Sequence, residues 1–140
     1  MYNNKLNNAS CVYAASNGHL EIVKFLYEKG AAINDNRVIS FAAGNGHLEV
    51  VRFLYEKGVI INDQAISRAS QNGHLEIVKF LHKRRGLINE QAISRSAQNG
   101  HLEIVKFLYE KGGFVNDYAI CLAATNGHLE IVKYLFEKEK

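Results

Sequence analysis

The chain has 140 residues, 47% of them hydrophobic, and a net charge of +3 at pH 7 with the histidines neutral. This length is enough for one domain whose core needs neither disulfides nor metals. Its apolar runs are too short for a membrane span, no segment has the pattern of a secretory signal, and the mild charge falls well short of the dense basic surface of a dedicated nucleic-acid binder.

One triplet, Asn-Gly-His, occurs five times at spacings of 28, 27, 27 and 27 residues. A fixed period in this range is typical of a solenoid. We therefore predict a single repeat domain over residues 1–140. Its five repeats are placed approximately at residues 6–33, 34–61, 62–88, 89–115 and 116–140.

In each repeat, the segment before the triplet predicts a first helix. Residue types that favour the N-cap open it in four of the five repeats, and paired small residues near its end let neighbouring helices approach closely. One apolar position recurs, and there we expect the core. The predicted opening residues are Asn8, Asn36, Asp63, Glu90 and Asp117, and the predicted core residues are Cys11, Ile39, Ile66, Ile93 and Ile120.

The triplet itself predicts a tight turn between two helices, in which Asn and Gly supply positive φ. Its histidine, once per repeat, is a candidate metal ligand. Zinc needs its ligand atoms about 2 Å from one centre, whereas adjacent helices lie about 10 Å apart. Capping and turn packing explain these histidines better, and we expect no metal, no cofactor and no enzymatic activity.

After each triplet, the pattern Leu-Glu-(Ile/Val)-Val-(Lys/Arg)-(Phe/Tyr)-Leu predicts a second helix, with an acid in the first turn where the helix dipole favours it. Only a narrow polar stripe interrupts the apolar residues, so this helix should be buried on several sides. In three repeats a glycine follows and suits a left-handed cap. These glycines are Gly30, Gly58 and Gly112.

The third repeat has His-Lys-Arg-Arg-Gly at residues 82–86, and Arg85 stands where three other repeats have that glycine. A positive φ at Arg85 would cost on the order of 1 kcal/mol. We therefore predict that this second helix runs one residue longer and caps at Gly86. The dipole favours cations at a helix C-terminus, so we interpret the basic turn formed by Lys83, Arg84 and Arg85 as a cap variant, with a binding site as the alternative.

The stretch Asn-Gly-His-Leu-Glu-(Ile/Val)-Val-(Lys/Arg)-Phe-Leu, found at residues 17–26, 45–54, 72–81 and 99–108 and with Tyr134 replacing Phe in the fifth repeat, resembles the second helix of ankyrin repeats. The resemblance implies an all-α, right-handed α-solenoid of five helix-turn-helix repeats that binds other proteins without catalysis. Its style is similar to the ankyrin arrays of large DNA viruses, and we expect a cytoplasmic protein, in the host cytoplasm if it is viral.

The chain departs from the family in repeat length. Ankyrin repeats run about 33 residues and begin the first helix with Thr-Pro-Leu-His, whereas this chain has no proline. About six residues per repeat are missing where the family builds its β-hairpin finger. We expect helical hairpins without fingers, so binding must fall on the helices.

The repeats differ from one another most on one stripe of the first helix, at positions i, i+4 and i+7, which by resemblance lines the concave face. Arg and Tyr are enriched in binding hot spots, and Arg pairs with carboxylates. Two interpretations fit this stripe. It is either a groove that binds an acidic protein segment, or a solvated face whose composition has varied without a role in binding. The candidate partner-binding residues are Tyr13, Arg37, Phe41, Gln64, Arg68, Gln71, Gln91, Arg95, Gln98, Tyr118 and Leu122, and Ala9, Ser16, Gly44 and Thr125 complete the stripe.

Two other functions remain open. Arginines at one per repeat could follow a phosphate backbone, although single charges about 10 Å apart are a sparse footprint for nucleic acid.

Alternatively, the chain is part of a longer array or associates with itself through its C-terminal repeat, where apolar residues follow the buried pattern with nothing after Lys140 to cover them. Those residues are Leu129, Ile131, Val132, Leu135 and Phe136. The polar residues 1–5 are a candidate solubilising cap.

Overall fold

The structure, a computed structural model, describes the backbone of residues 4–139 and the side chains of residues 8–139. The predicted cap at residues 1–5 therefore lies outside the side chains described. Ten helices and no strand occur within residues 4–139: α1 (Asn4–Ser16), α2 (Leu20–Glu28), α3 (Asn36–Gly44), α4 (Leu48–Glu56), α5 (Ala65–Gln71), α6 (Leu75–Lys83), α7 (Glu90–Gln98), α8 (Leu102–Glu110), α9 (Asp117–Thr125) and α10 (Leu129–Lys138). None of them has the length and apolar character needed to cross a membrane.

The helices form five consecutive hairpins, and the absence of strands within this range confirms an all-α stack without β-hairpin fingers. The first helices α1, α3, α5, α7 and α9 pack closely against one another in order, while the second helices touch their neighbours only sparsely. Small buried residues such as Ala43 and Ala97 permit this close approach. Because the first helices are more closely spaced, the stack bends so that they lie on its inner side.

The core runs without interruption through all five hairpins. Cys11, Ile39, Ile66 and Ile93 are buried as expected, and Ile120 in the last hairpin is partly buried. Each second helix adds a valine and a leucine, as Val78 and Leu81 do in α6. Fully burying such a side chain stabilises the fold by about 1.5–3 kcal/mol, so most of the stability comes from contacts within and between adjacent hairpins.

Helices α3, α7 and α9 begin one residue earlier than predicted, whereas α5 begins only at Ala65. The side chains that accept backbone N–H bonds are those of Asp35, Asn62, Asn89 and Asn116, not those of the residues that follow them, Asn36, Asp63, Glu90 and Asp117. Asp35, Asn89 and Asn116 have an extended backbone, which lets their side chains reach the N–H two or three residues on. Asn8 lies inside α1, and its Oδ1 accepts a bond from the Ala32 N–H at 3.1 Å.

In the Asn-Gly-His turns only the glycine has positive φ. Gly46 has φ +85°, whereas Asn45 before it has φ −98° and ends α3. The prediction of positive φ was therefore right for the glycine and wrong for the asparagine. The asparagine side chain has another use, because Nδ2 of Asn45 donates to the carbonyl of Ser16 in the preceding hairpin at 2.9 Å.

The prediction of a longer helix in the third hairpin was wrong. Helix α6 ends at Lys83, and Arg85 has φ +66°. The N–H of Gly86 donates to the carbonyl of Leu81 at 2.8 Å, just as the N–H of Val59 donates to the carbonyl of Leu54 at 3.0 Å one hairpin earlier. The turn is thus the same as in the glycine-containing repeats, and Arg85 takes the strained conformation because these bonds hold the following segment in register.

Candidate binding surface

The stripe predicted on the first helices lies on the inner side of the stack; we call its fifteen predicted residues the inner stripe. Tyr13 and Tyr118, near its two ends, are strongly exposed. Of the rest, Arg37, Arg68, Gln91, Gln98 and Thr125 are exposed, and Ala9, Ser16, Phe41, Gln64, Gln71, Arg95 and Leu122 are half-buried. Gly44 is buried, because the side chain of Arg68 covers it, so including it in a surface was wrong.

Arg68 on α5 bridges to the preceding hairpin. Its guanidinium carbon lies 5.0 Å from the centroid of the Phe41 ring on α3. A guanidinium over an aromatic face is attracted by the ring quadrupole and is held in one orientation. The contact holds the arginine on the surface through a neutral partner, so its positive charge is not cancelled.

Arg95 makes the equivalent bridge one hairpin later with a different partner. Its Nη1 donates to Oε1 of Gln71 on α5 at 3.2 Å. Gln71 is neutral, so the hydrogen bond positions the guanidinium without cancelling its charge. Within residues 8–139, neither Arg68 nor Arg95 forms an ion pair.

Arg37 differs from these two arginines. Its Nε and Nη2 donate to both carboxylate oxygens of Asp35, at 2.9 Å and 2.6 Å for the shorter bonds, and its own N–H donates to Oδ1. This side-chain hydrogen bonding lowers the pKa of the Asp35 carboxyl below its usual range. Arg37 is therefore engaged with the α3 cap, and its charge is neutralised there.

The first-turn carboxylate of each second helix has its own partner. On each of these helices a glutamate in the first turn lies within about 4 Å of a lysine or arginine three residues later, as in the 3.6 Å contact of Glu49 with Arg52. Such exposed pairs contribute little to stability. They engage the first-turn glutamates of the second helices, whereas no ion pair within residues 8–139 involves Arg68 or Arg95.

The triplet histidines form a column along one edge of the stack. The Nε2 groups of His101 and His128 donate to the carbonyls of Gln71 and Gln98, each at 3.0 Å. The rings of His47, His74, His101 and His128 lie against the glycine of the preceding turn. All five triplet histidines occupy the N-cap position of their second helix, but none makes a side-chain cap bond to it. Turn packing is therefore confirmed for the four rings that contact a glycine, and capping holds for the position but not for the side chain.

Metal ligation gains no support from the histidine column, since no group of three His, Cys, Asp or Glu side chains is arranged to hold an ion in the part of the chain that is described. The sixth histidine, His82, instead packs its ring edge-on against Phe107 at 5.7 Å. It takes the place that tyrosine holds in other hairpins.

A column of paired rings on the second helices was missed from the sequence. One ring of each hairpin meets one ring of the next edge to face, at centroid distances of 5.7–6.1 Å. The pairs are Tyr27 with Phe53, Tyr55 with Phe80, His82 with Phe107, and Tyr109 with Tyr134. The aromatic residues that recur two positions apart in each second helix were the available signal.

The basic turn joins this column. The guanidinium carbon of Arg84 lies 3.6 Å from the centroid of the Phe80 ring, and Nη1 donates to the Phe80 carbonyl at 3.4 Å. Arg84 thus has a packing role at the helix end. Lys83 and Arg85 are exposed, and they lie on the second-helix side of the hairpin, away from the inner stripe.

At the C-terminal end, five apolar residues were predicted to be uncovered. Their exposure to solvent divides them into two groups. Ile131 and Leu135 are buried and Val132 is half-buried, because the preceding helices cover that side of α10. Leu129 is 61% exposed and Phe136 is 58% exposed. This end is therefore partly exposed.

Comparison with known protein families agrees with this geometry. A family model described as ankyrin repeats, three copies, matches residues 2–65 and again residues 66–140. No curated protein matches the chain.

Proposed function

The chain belongs to the ankyrin repeat family, whose members are generally protein-interaction modules, and from this premise we propose that it binds an acidic segment of another protein along the inner stripe without catalysing a reaction. The observation that carries the proposal is the pair Arg68 and Arg95. Both guanidiniums are held in place by neutral partners, Phe41 and Gln71, and neither forms an ion pair with a carboxylate within residues 8–139.

Adjacent first helices place these two cations roughly 8–10 Å apart. A segment in the polyproline II conformation rises about 3.1 Å per residue with about three residues per turn, so carboxylates three residues apart lie on one side of the segment and match that spacing. The exposed rings of Tyr13 and Tyr118 near the ends of the stripe would contact apolar residues that flank the acids. Each buried charge-assisted hydrogen bond would contribute about 1.5–3 kcal/mol.

The test uses acidic peptides selected by display against the wild-type chain and then labelled with a fluorophore. The double variant Arg68→Glu/Arg95→Glu should lose binding by at least about 100-fold, since two attractive pairs become repulsive. The matched control Lys79→Glu/Lys106→Glu makes the same charge change on the second helices and should keep affinity within about threefold in moderate salt. Undiminished binding to the inner-stripe variant would refute this placement.

A nucleic-acid-binding solenoid has less support. It needs a regular row of free cations, whereas Arg37 is already paired with Asp35 and glutamates accompany the cations of every second helix. Labelled single- and double-stranded oligonucleotides titrated at two salt concentrations test it. Salt-sensitive binding that Arg68→Glu/Arg95→Glu abolishes would favour this function over protein recognition.

We further propose that the protein acts in the cytoplasm and that it associates with itself through the C-terminal repeat. For the location, the support is that Cys11 and Cys121 are both free thiols, on α1 and α9 at opposite ends of the stack. For self-association, the support is the exposure of Leu129 and Phe136 on α10.

A further inference from the structure

We infer that the two ends of the stack are complementary and that copies of this chain associate head to tail, the N-terminal face of one copy seated on the C-terminal face of the next. The inference rests on the self-association proposed above and names its partner surface. It follows from the repeat itself, because every internal junction joins the same two faces, and the stack presents one of each at its ends.

The C-terminal face repeats the side that each hairpin offers to the one after it. Ala15, Ala43 and Ala97 occupy one position on this side and are fully buried, while Ala124 at the same position is exposed. The turn glycines behave alike. A histidine ring lies against Gly100, but within the described residues nothing comes within 4 Å of the Cβ direction of Gly127.

The N-terminal face repeats the opposite side of the junction. Ile77, Ile104 and Ile131 occupy one position there and are 2–3% exposed, while Ile22 at the same position is 50% exposed. Phe25 is 56% exposed, whereas Phe80 in the corresponding place is 8% exposed. Both residues keep the apolar type of the internal repeats, although a terminal repeat normally carries a polar outer face.

The triplet histidine supplies the first matching contact. His19 is exposed and precedes the second helix of the first hairpin, with no glycine turn before it to lie on. Its counterparts His101 and His128 each pack on a glycine and donate to the carbonyl just before the turn asparagine. On the C-terminal face the equivalent carbonyl belongs to Thr125 and the equivalent glycine is Gly127. His19 of the next copy can therefore make the same two contacts there.

The aromatic column supplies the second contact. Phe136 stands where Tyr27 and Tyr109 stand in earlier hairpins, and Phe25 stands where Phe53 and Tyr134 stand. Head-to-tail seating therefore brings Phe136 of one copy edge-on to Phe25 of the next.

A lysine bridges the same ring pairs within the stack. Nζ of Lys57 lies 5.4 Å from the Tyr27 centroid and 5.6 Å from the Phe53 centroid, so it spans both members of one pair. Lys29 is at the equivalent position, 5.5 Å from the centroid of Phe25, and would reach Phe136 of the preceding copy. A second copy of this chain therefore fits the C-terminal face in four ways: through the histidine site, the apolar patch, the ring pair and the lysine.

Such a contact is heterologous, so each added copy leaves one face of each kind open and the average mass rises with concentration. The test is sedimentation velocity over a concentration series up to about 1 mM, where even millimolar dissociation constants become visible. Ile22→Lys blocks the N-terminal face and Ala124→Lys blocks the C-terminal face. Ile60→Lys and Ala32→Lys are controls that make the same changes at exposed loop positions.

Wild type and the two controls should form oligomers beyond the dimer, and each blocked variant alone should stay monomeric. An equimolar mixture of the two blocked variants should form a one-to-one dimer and nothing larger, because one open face of each kind remains. Circular dichroism confirms that each variant is folded.

Two results overturn the inference in distinguishable ways. A wild-type chain that stays monomeric over the whole series removes self-association altogether. If Ile22→Lys forms dimers by itself, and the mixture of the two blocked variants contains no other dimer, two C-terminal faces meet symmetrically. Self-association would then stand, but the head-to-tail arrangement would be refuted.

Discussion

The ring of His74 lies so close to Gly46 that a Cβ on that glycine would be 2.6 Å from Cε1 of the imidazole. Gly58 has almost the same backbone conformation, φ +88° against +85°, but within the described residues nothing lies within 4 Å of its Cβ direction. The two glycines thus share one backbone requirement, and only Gly46 also has a steric one.

We predict that Gly46→Ala destabilises the protein more than Gly58→Ala. Both substitutions incur a cost on the order of 1 kcal/mol for positive φ, and Gly46→Ala adds overpacking against the imidazole, typically about 1–3 kcal/mol. Urea denaturation of both variants measures the difference. Equal losses of stability would show that the histidine contact tolerates a methyl group. In the His74→Ala background, Gly46→Ala should destabilise the protein less than it does in the wild type.

Arg85→Gly should stabilise the protein by roughly 0.5–1 kcal/mol, because glycine adopts positive φ without the Cβ clash that Arg85 bears, less the entropy that glycine adds to the unfolded chain. Arg85→Ala removes the same charge but keeps the Cβ, so it is the matched control and should be nearly neutral. Thermal unfolding of the two variants separates strain from charge. A gain for both would point to the charge instead.

The pH dependence of stability should carry a contribution from His74. Burial of the ring lowers its pKa below the ordinary value, nearby His101 and His47 act in the same direction, and the hydrogen bond to the Gly44 carbonyl opposes them. The unfolded chain then binds a proton more readily than the folded one. The stabilisation is fully present above about pH 6.5 and is lost as the pH falls through the folded-state pKa.

Unfolding free energies measured at about pH 7.5 and about pH 5, on either side of the ordinary histidine pKa, give this loss. His74→Gln, which cannot be protonated in that range, should lose less stability on acidification than the wild type. An NMR titration of the His74 ring gives the midpoint directly. A midpoint above the ordinary histidine value would contradict the burial argument.

The two thiols should differ in reactivity towards an aromatic disulfide reagent. Cys121 is exposed on α9, whereas Cys11 is buried in α1, and burial raises the pKa of its thiol. Since the thiolate is the nucleophile, Cys121 should react at least about tenfold faster than Cys11. In Cys121→Ser only the slow phase should remain. Two fast thiols in the wild type would mean that α1 opens readily from the stack.

The helical hairpins, their order and most core positions could be predicted from the sequence. Five copies of one unit show each environment repeatedly, so that Ile39, Ile66 and Ile93 identify a buried position even though each segment alone is short. The inner stripe followed from helical spacing in the same way. Its exposed members Arg68 and Tyr118 lie on the first helices where that spacing placed them.

Details that depend on backbone geometry could not be predicted. Asn116 and Asp117 are both good cap formers, and only the extended backbone of Asn116 decides which side chain bonds to an N–H. At Arg85, local preference argued for a longer helix, but the hydrogen bond from Gly86 to Leu81 preserves the common turn. On the inner stripe, the pairing of Arg37 with Asp35 depended on a cap whose position had been assigned one residue late.

The bonds from turn asparagines to the preceding hairpin have a consequence for how the array can change in length. Asn72 donates to the carbonyl of Gly44, and Asn99 donates to the carbonyl of Gln71. Because the acceptors are main-chain groups, these bonds do not depend on which side chain the earlier unit presents. Recombination that removes or duplicates one 27-residue unit therefore leaves the junctions on either side intact. The inner-stripe residues of each unit can then diverge independently of the bonds that join it to its neighbours.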